Sequence, residues 1–331
     1  MSENRVKKLQ DKPILFMTVG LPGSGKSTYA KQIEVEQMDG TITRPVIHSS
    51  DALRKEMFGD EAIQGDNGKL FNELHSRIKY DLAAGKDVVY DATCLKKKTR
   101  RQFLLELKNI DCVKYCICFA TTFEACLHNN NQRSRKVPVD VIKRMQMSFA
   151  PPDFNEGFDW MQFVFSYLDE HGNIYHSPPQ NEFDLLSFFH KANPFNQDNK
   201  HHTLSLGDHS IAAYEFVKKW RPDDTALQLA ALLHDNGKLY TKTRLNSKGE
   251  FDGDYHYYNH QNVGAYNAMF YIDKLGAHRD MVRIINLIYY HMAPYMEWKQ
   301  SEKARKRDYD LLGADMFNDV MFLHTADEQA H

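Results

Sequence analysis

Gly20-Leu21-Pro22-Gly23-Ser24-Gly25-Lys26-Ser27 fits G-x-x-x-x-G-K-[ST], the pattern of a phosphate-binding loop. An apolar run, residues 14–19, precedes it, and Ser27-Thr28-Tyr29-Ala30-Lys31-Gln32 reads as a helix. Strand, glycine-rich turn and helix in that order are the context the motif requires. Gly23, Ser24 and Gly25 let backbone N–H groups close around phosphate oxygens, and the helix start at Ser27 and Thr28 adds partial positive charge. Lys26 is expected to reach the β and γ phosphates and Ser27 to ligate Mg²⁺. The expected ligand is therefore a nucleoside triphosphate, ATP or GTP, with Mg²⁺.

Outward from this loop, apolar runs at 46–48, 87–90, 113–120 and 163–167 read as further buried strands, separated by helical patterns such as 72–84 and 99–109. Continuous apolarity suits a parallel sheet covered on both faces, so the first half is expected to be a doubly wound α/β fold. Glu170-His171-Gly172-Asn173 reads as a turn. Breaker clusters at Ser177-Pro178-Pro179 and 192–200 then end the alternation. Beyond His209 the spacing is helical at 211–220, 225–234, 262–275, 281–291 and 311–330. The boundary falls near 178–190, giving a P-loop domain over 1–178 and an all-α domain over 179–331.

Composition adds limits. Lys plus Arg is 42 and Asp plus Glu is 44, a net charge of −2, so no overall bias toward nucleic acid exists, although local basic patches remain open. The five cysteines, Cys94, Cys112, Cys116, Cys118 and Cys126, read as strand-core thiols in a reducing compartment. No apolar leader and no membrane-length run are seen, so a cytoplasmic location is expected.

Three carboxylate and arginine positions carry the chemistry of the first half. Asp51 follows the second strand, where a carboxylate can accept a hydroxyl proton during phosphoryl transfer; capping a helix is the plainer role. Arg54, one turn on, can grip a substrate phosphate. Asp91 ends the third strand and can orient the acceptor or a metal-bound water. Lys96-Lys97-Lys98-Thr99-Arg100-Arg101 reads as a solvated helix face or a polyanion path, and Gln132-Arg133-Ser134-Arg135-Lys136 as a cationic lid. Together these motifs resemble the phage-type polynucleotide 5′-kinase domain over about 12–150. That resemblance implies Asp51 as general base, Arg54 on the acceptor nucleotide's phosphate, Asp91 supporting the acceptor, and Arg133 on the γ-phosphate, with Arg135 its rival in register.

In the second half the strongest signal is His234-Asp235-Asn236-Gly237-Lys238 at the end of an apolar helical pattern. His209 upstream and Asp327 near the end complete two imidazoles and two carboxylates, suited to a divalent transition metal with open positions for water. His260 and His291 offer a second metal, and Lys238 can neutralise a phosphate oxygen. His202, His256 and His324 are alternative ligands. The pattern resembles the HD phosphohydrolase superfamily over about 200–331, which implies Mn, Co, Ni, Fe or Zn as metal.

These resemblances imply a bifunctional end-healing enzyme. The first domain would phosphorylate 5′-OH ends of RNA or DNA, with RNA favoured, and the second would remove a 2′,3′-cyclic phosphate or 3′-phosphate, preparing ends for a ligase. Alternatives are a kinase of a nucleoside or small metabolite joined to a nucleotidase, or to a regulatory nucleotide-binding module.

Overall fold

The computed structural model describes residues 4–63, 65–198 and 203–330. The chain forms two compact units, Met1–Ile142 with Pro152–His176, and Lys143–Pro151 with Ser177–His331.

The first unit is built on a six-stranded sheet in the spatial order Val46–Ser49, Val88–Asp91, Ile14–Val19, Val113–Thr121, Trp160–Leu168, Ile174–Tyr175. All neighbours are parallel except the last pair, which is antiparallel. All six residues of Ile14–Val19 are buried, because this strand lies centrally with a parallel partner on each side. Burying each of its five apolar side chains contributes about 1.5–3 kcal/mol. Asp169 Oδ1 accepts from the N–H groups of His171 and Asn173, closing the turn before the antiparallel strand.

Three expectations need correction. Val46–Ser49 is an edge strand, with Val46 36% and Ile47 38% exposed, since only Val88–Asp91 pairs with it. The helix after the phosphate loop is short, Lys26–Ala30. The chain then enters a small sheet, Arg5–Lys7, Glu34–Glu36 and Ile42–Thr43, too brief to show in the sequence pattern. The basic run is not a uniformly solvated face, for Lys97 and Arg100 are buried. Arg100 donates from Nε and Nη2 to the two oxygens of Glu156 at 2.8 and 2.7 Å, and from Nη1 to the carbonyls of Cys94 and Leu95. The five cysteines carry free thiols.

The second unit is mainly helical, with long segments Leu206–Trp220, Thr225–Leu233, His260–Leu275, Met281–Tyr290 and Glu302–Glu328, the last interrupted at Gly313. Side chains at the helix starts accept backbone N–H groups, as Ser205 does from Asp208, Asp224 from Leu227 and Ser301 from Ala304. The core is apolar, with Ala230, Leu233, Tyr266, Met269, Ile285 and Leu287 fully buried. Gly237 has an ordinary backbone but no room for a side chain. A Cβ there would lie 2.0 Å from the His260 carbonyl oxygen, so glycine lets His260–Leu275 approach the His234-Asp235 corner. Among the described residues, no helix is long and apolar enough to cross a membrane.

Candidate functional sites

The phosphate loop leaves the C-terminal end of the central strand, where ligands bind in open α/β sheets. Gly23 has φ +80, and a Cβ there would lie 2.2 Å from the Cys126 carbonyl oxygen. Asn129 Nδ2 donates to Gly23 O at 2.8 Å, and Thr121 Oγ1 to Ser24 O at 3.0 Å. These two contacts fix the loop from the adjoining strand and helix. Lys26 folds across the loop, its Nζ 2.7 Å from Leu21 O and 3.2 Å from Ser24 Oγ. Burial holds its pKa below the ordinary lysine value, with the Asp91 carboxylate opposing.

Ser49 and Asp91 are register partners, so Asp51 and Asp91 emerge at one edge of the sheet. Ser27 Oγ donates to Asp91 Oδ2 at 2.7 Å. Of the two roles open to Asp91, this contact favours the metal side over the acceptor side. A hydroxyl and a carboxylate at this spacing suit Mg²⁺, with Ser27 and Asp91 as the holding residues. Thr28, predicted to line the phosphates, lies in the first turn of Lys26–Ala30.

Asp51 does not cap its helix. Ser49 does, accepting from Ala52 N, which leaves the Asp51 carboxylate free to face the arginine loop. Arg135 Nη1 lies 3.1 Å from Asp51 Oδ1, and Arg133 Nη2 lies 3.7 Å from Oδ2. Both lid arginines therefore meet the same carboxylate. Arg54 is buried, its Nη1 3.0 Å from Asn67 Oδ1 and 3.4 Å from Ile63 O. Asn130, which sequence reasoning missed, staples the lid: its Nδ2 donates to Val137 O and its Oδ1 accepts from Val137 N, both at 2.9 Å. No local pattern marks it.

The second unit brings His209, His234, Asp235 and Asp327 into one buried group and Asp235, His260 and His291 into another. Asp235 belongs to both. Its Oδ2 lies 3.4 Å from Nε2 of His209 and of His234, and its Oδ1 lies 3.2 Å from His260 Nε2 and 3.5 Å from His291 Nε2. Asp327 Oδ1 is 3.1 Å from His209 Nε2 and 3.4 Å from His234 Nε2. Each imidazole is oriented from behind. Nδ1 of His209, His234, His260 and His291 lies 2.6–2.8 Å from the carbonyls of Ala330, Ala231, Tyr257 and Ile288. A carbonyl only accepts, so each Nδ1 carries a proton and each Nε2 faces inward, a metal ligand once it holds no proton of its own.

Convergent Nε2 atoms and carboxylate oxygens repel unless a proton or a metal cation lies among them. The donor set therefore fits a divalent metal, which His209, His234, Asp235 and Asp327 would hold, with His260 and His291 able to hold a second through the other Asp235 oxygen. Burial disfavours charge on His234, but Asp235 and Asp327 outweigh it and push its pKa up to about 10. Burial pushes His291 down to about 4 and keeps it neutral. Lys238 Nζ lies 2.6 Å from Asp235 Oδ2 and donates to Gln197 Oε1 at 2.8 Å. Tyr257 donates its phenol to the Gln197 carbonyl. Gln197 and Tyr257 gave no sequence signal. Of the alternative ligands, His256 pairs with Asp252 and His324 packs on Tyr295, while His202 lies outside the described residues.

Comparison with known proteins bears on the first unit. Residues 15–152 match the AAA domain family. An L-seryl-tRNA(Sec) kinase of Methanococcus maripaludis is 28% identical over 153 residues, 44% of this chain and 56% of that protein. Protein KTI12 of Saccharomyces cerevisiae is 26% identical over 170 residues, 49% and 53% of the two chains. The chain thus spans about half the length of the curated relatives it matches. A chain in the structure of the Pnkp1/Rnl/Hen1 RNA repair complex is 18% identical over 43% of this chain and 45% of that one, with a TM-score of 0.37. Residues 15–152 are thus similar to the AAA domain family, and the first unit carries a phosphate loop on a mostly parallel α/β sheet.

Proposed function

We propose that the chain processes nucleic-acid ends at two sites, phosphorylating a 5′-hydroxyl with ATP at the first and hydrolysing a 2′,3′-cyclic phosphate or 3′-phosphate at the second. RNA is the favoured substrate, in a cytoplasmic setting, and the products are ends that a ligase can join.

The observation that carries the kinase reading is Asp51, a carboxylate at the strand edge beside the phosphate loop, facing Arg133 and Arg135. In transfer, Asp51 takes the acceptor proton as the γ-phosphoryl passes to the acceptor oxygen. Lys26 and a lid arginine neutralise charge on that group. Arg54, one turn from Asp51, is the phosphate grip that makes a nucleotide acceptor the preferred choice over a small metabolite. One curated relative is by name a kinase of seryl-tRNA, an acceptor carried on RNA.

The hydrolase reading rests on the donor set around Asp235 and makes the second unit an HD-type phosphohydrolase. Bound Mn, Co, Ni, Fe or Zn would supply an activated water for attack on phosphorus. The protein's own part is to orient four imidazoles from their Nδ1 sides and to keep Lys238 beside Asp235 for a phosphate oxygen.

Incubation with labelled ATP and a 5′-OH oligonucleotide tests the first activity. A nucleoside or sugar accepting label while the oligonucleotide stays unlabelled contradicts it. Hydrolysis of p-nitrophenyl phosphate with Mn²⁺, Co²⁺ or Ni²⁺ tests the second, and a protein that binds no metal contradicts that.

A further inference from the structure

From the candidate metal-ligating group toward the surface of the second unit runs a continuous file of aromatic rings interleaved with cations. Lys238, on Asp235, lies 5.7 Å from the Tyr257 ring centroid. Tyr257 meets Phe195, with centroids 6.3 Å apart. Lys242 Nζ lies 4.8 Å from Phe195 and 4.5 Å from Tyr255. Arg244 lies 5.4 Å from the Tyr255 ring centroid and donates from Nε to its phenol at 2.7 Å. Two hydrogen bonds between Thr243 and His256 pin the hairpin that carries these groups. Beside it His256 stacks on Tyr258 at 5.5 Å and 9°, and Tyr258 is 39% exposed.

We infer that this hairpin is a stacking platform for single-stranded nucleic acid, holding the bases next to the terminal phosphate presented to the Asp235 centre. The inference rests on the proposed hydrolase reading and deepens it, because it selects a strand end over a free nucleotide. Planar guanidinium and tyrosine faces stack on any base. A hairpin needs no such file merely to stay closed, and the file ends at the metal ligands. Charge here is nearly balanced. Lys242 pairs with Asp198 and His256 with Asp252. Stacking, and not phosphate neutralisation, therefore supplies most of the affinity. The salt slope of binding at this platform should be shallow, about −0.7 per phosphate contacted, from Arg244 and little else.

The test uses the full chain with Mn²⁺ and compares kcat/KM for a 3′-phosphorylated decanucleotide with that for p-nitrophenyl phosphate. In Arg244→Ala/Tyr255→Ala the ratio should fall about fivefold to a hundredfold. An unchanged ratio overturns the inference. Absence of p-nitrophenyl phosphate hydrolysis speaks instead against the hydrolase reading. Independently of turnover, an oligonucleotide with 4-thiouridine near its 3′ end should cross-link to the peptide carrying Tyr255 and Tyr258. Cross-links elsewhere only, or none, overturn the platform.

Discussion

His209 and His234 hold their Nε2 atoms 3.1 Å apart while each Nδ1 is engaged by a backbone carbonyl. Two neutral rings so tied present two lone pairs to each other, so a proton or a metal must lie between them. Metal has to displace that proton, and its binding should release protons and weaken as pH falls. Calorimetry in buffers of different ionisation enthalpy checks the release. The sign follows from His234: its pKa is raised to about 10, so the competing proton is present at neutral pH and lost only above that value. Affinity that does not change between pH 6 and 9 would argue against this arrangement.

Asp235 offers one oxygen to each histidine pair. Asp235→Ala should reduce bound metal at both subsites, and His291→Ala mainly at the subsite shared with His260. Metal content of the purified proteins, by mass spectrometry, reads the difference. Equal retention in wild type and Asp235→Ala would refute the bridging role.

Gly23 and Gly25 both have positive φ, +80 and +91, but only Gly23 is enclosed. Gly25→Ala should cost about 1–2 kcal/mol of backbone strain. Gly23→Ala adds a collision with the Cys126 carbonyl and should displace the loop and abolish triphosphate binding. Thermal shift with and without ATP separates the two: Gly25→Ala should keep more of the ATP-induced stabilisation.

Arg100 and Glu156 form an ion pair with both side chains fully buried. Removing one partner leaves a buried charge unmatched, so Glu156→Ala should destabilise the first unit by about 3–5 kcal/mol. Urea denaturation of wild type and variant measures it, and a loss below about 1 kcal/mol would contradict the assignment. Arg100→Met/Glu156→Leu together should cost less than Glu156→Ala alone.

The legible parts of this molecule are the local ones. The phosphate loop, Asp51 and Asp91 each sit within a few residues of a strand end, so their neighbourhood could be read from adjacent residues. The candidate metal-ligating residues are legible by type, through the His234-Asp235 pair. Which oxygen of Asp235 serves which histidines was not, because that depends on a helix approach permitted by Gly237. Arg100 lies in a run that reads as surface, and its partner is 56 residues away. Asn130 and Gln197 act through contacts with no periodicity. Apolarity alone does not distinguish an edge strand from a central one, so Val46–Ser49 reads as buried although only one strand pairs with it.

The central claim is that one chain treats two kinds of end at two independent sites. An RNA with a 5′-OH and a 2′,3′-cyclic phosphate, incubated with labelled ATP, Mg²⁺ and Mn²⁺, tests it directly. The account predicts label at the 5′ end and loss of the cyclic phosphate in wild type, loss of labelling alone in Asp51→Ala, and loss of phosphate removal alone in Asp235→Ala. An RNA left unlabelled by wild type, or one folded variant that loses both reactions, would contradict it.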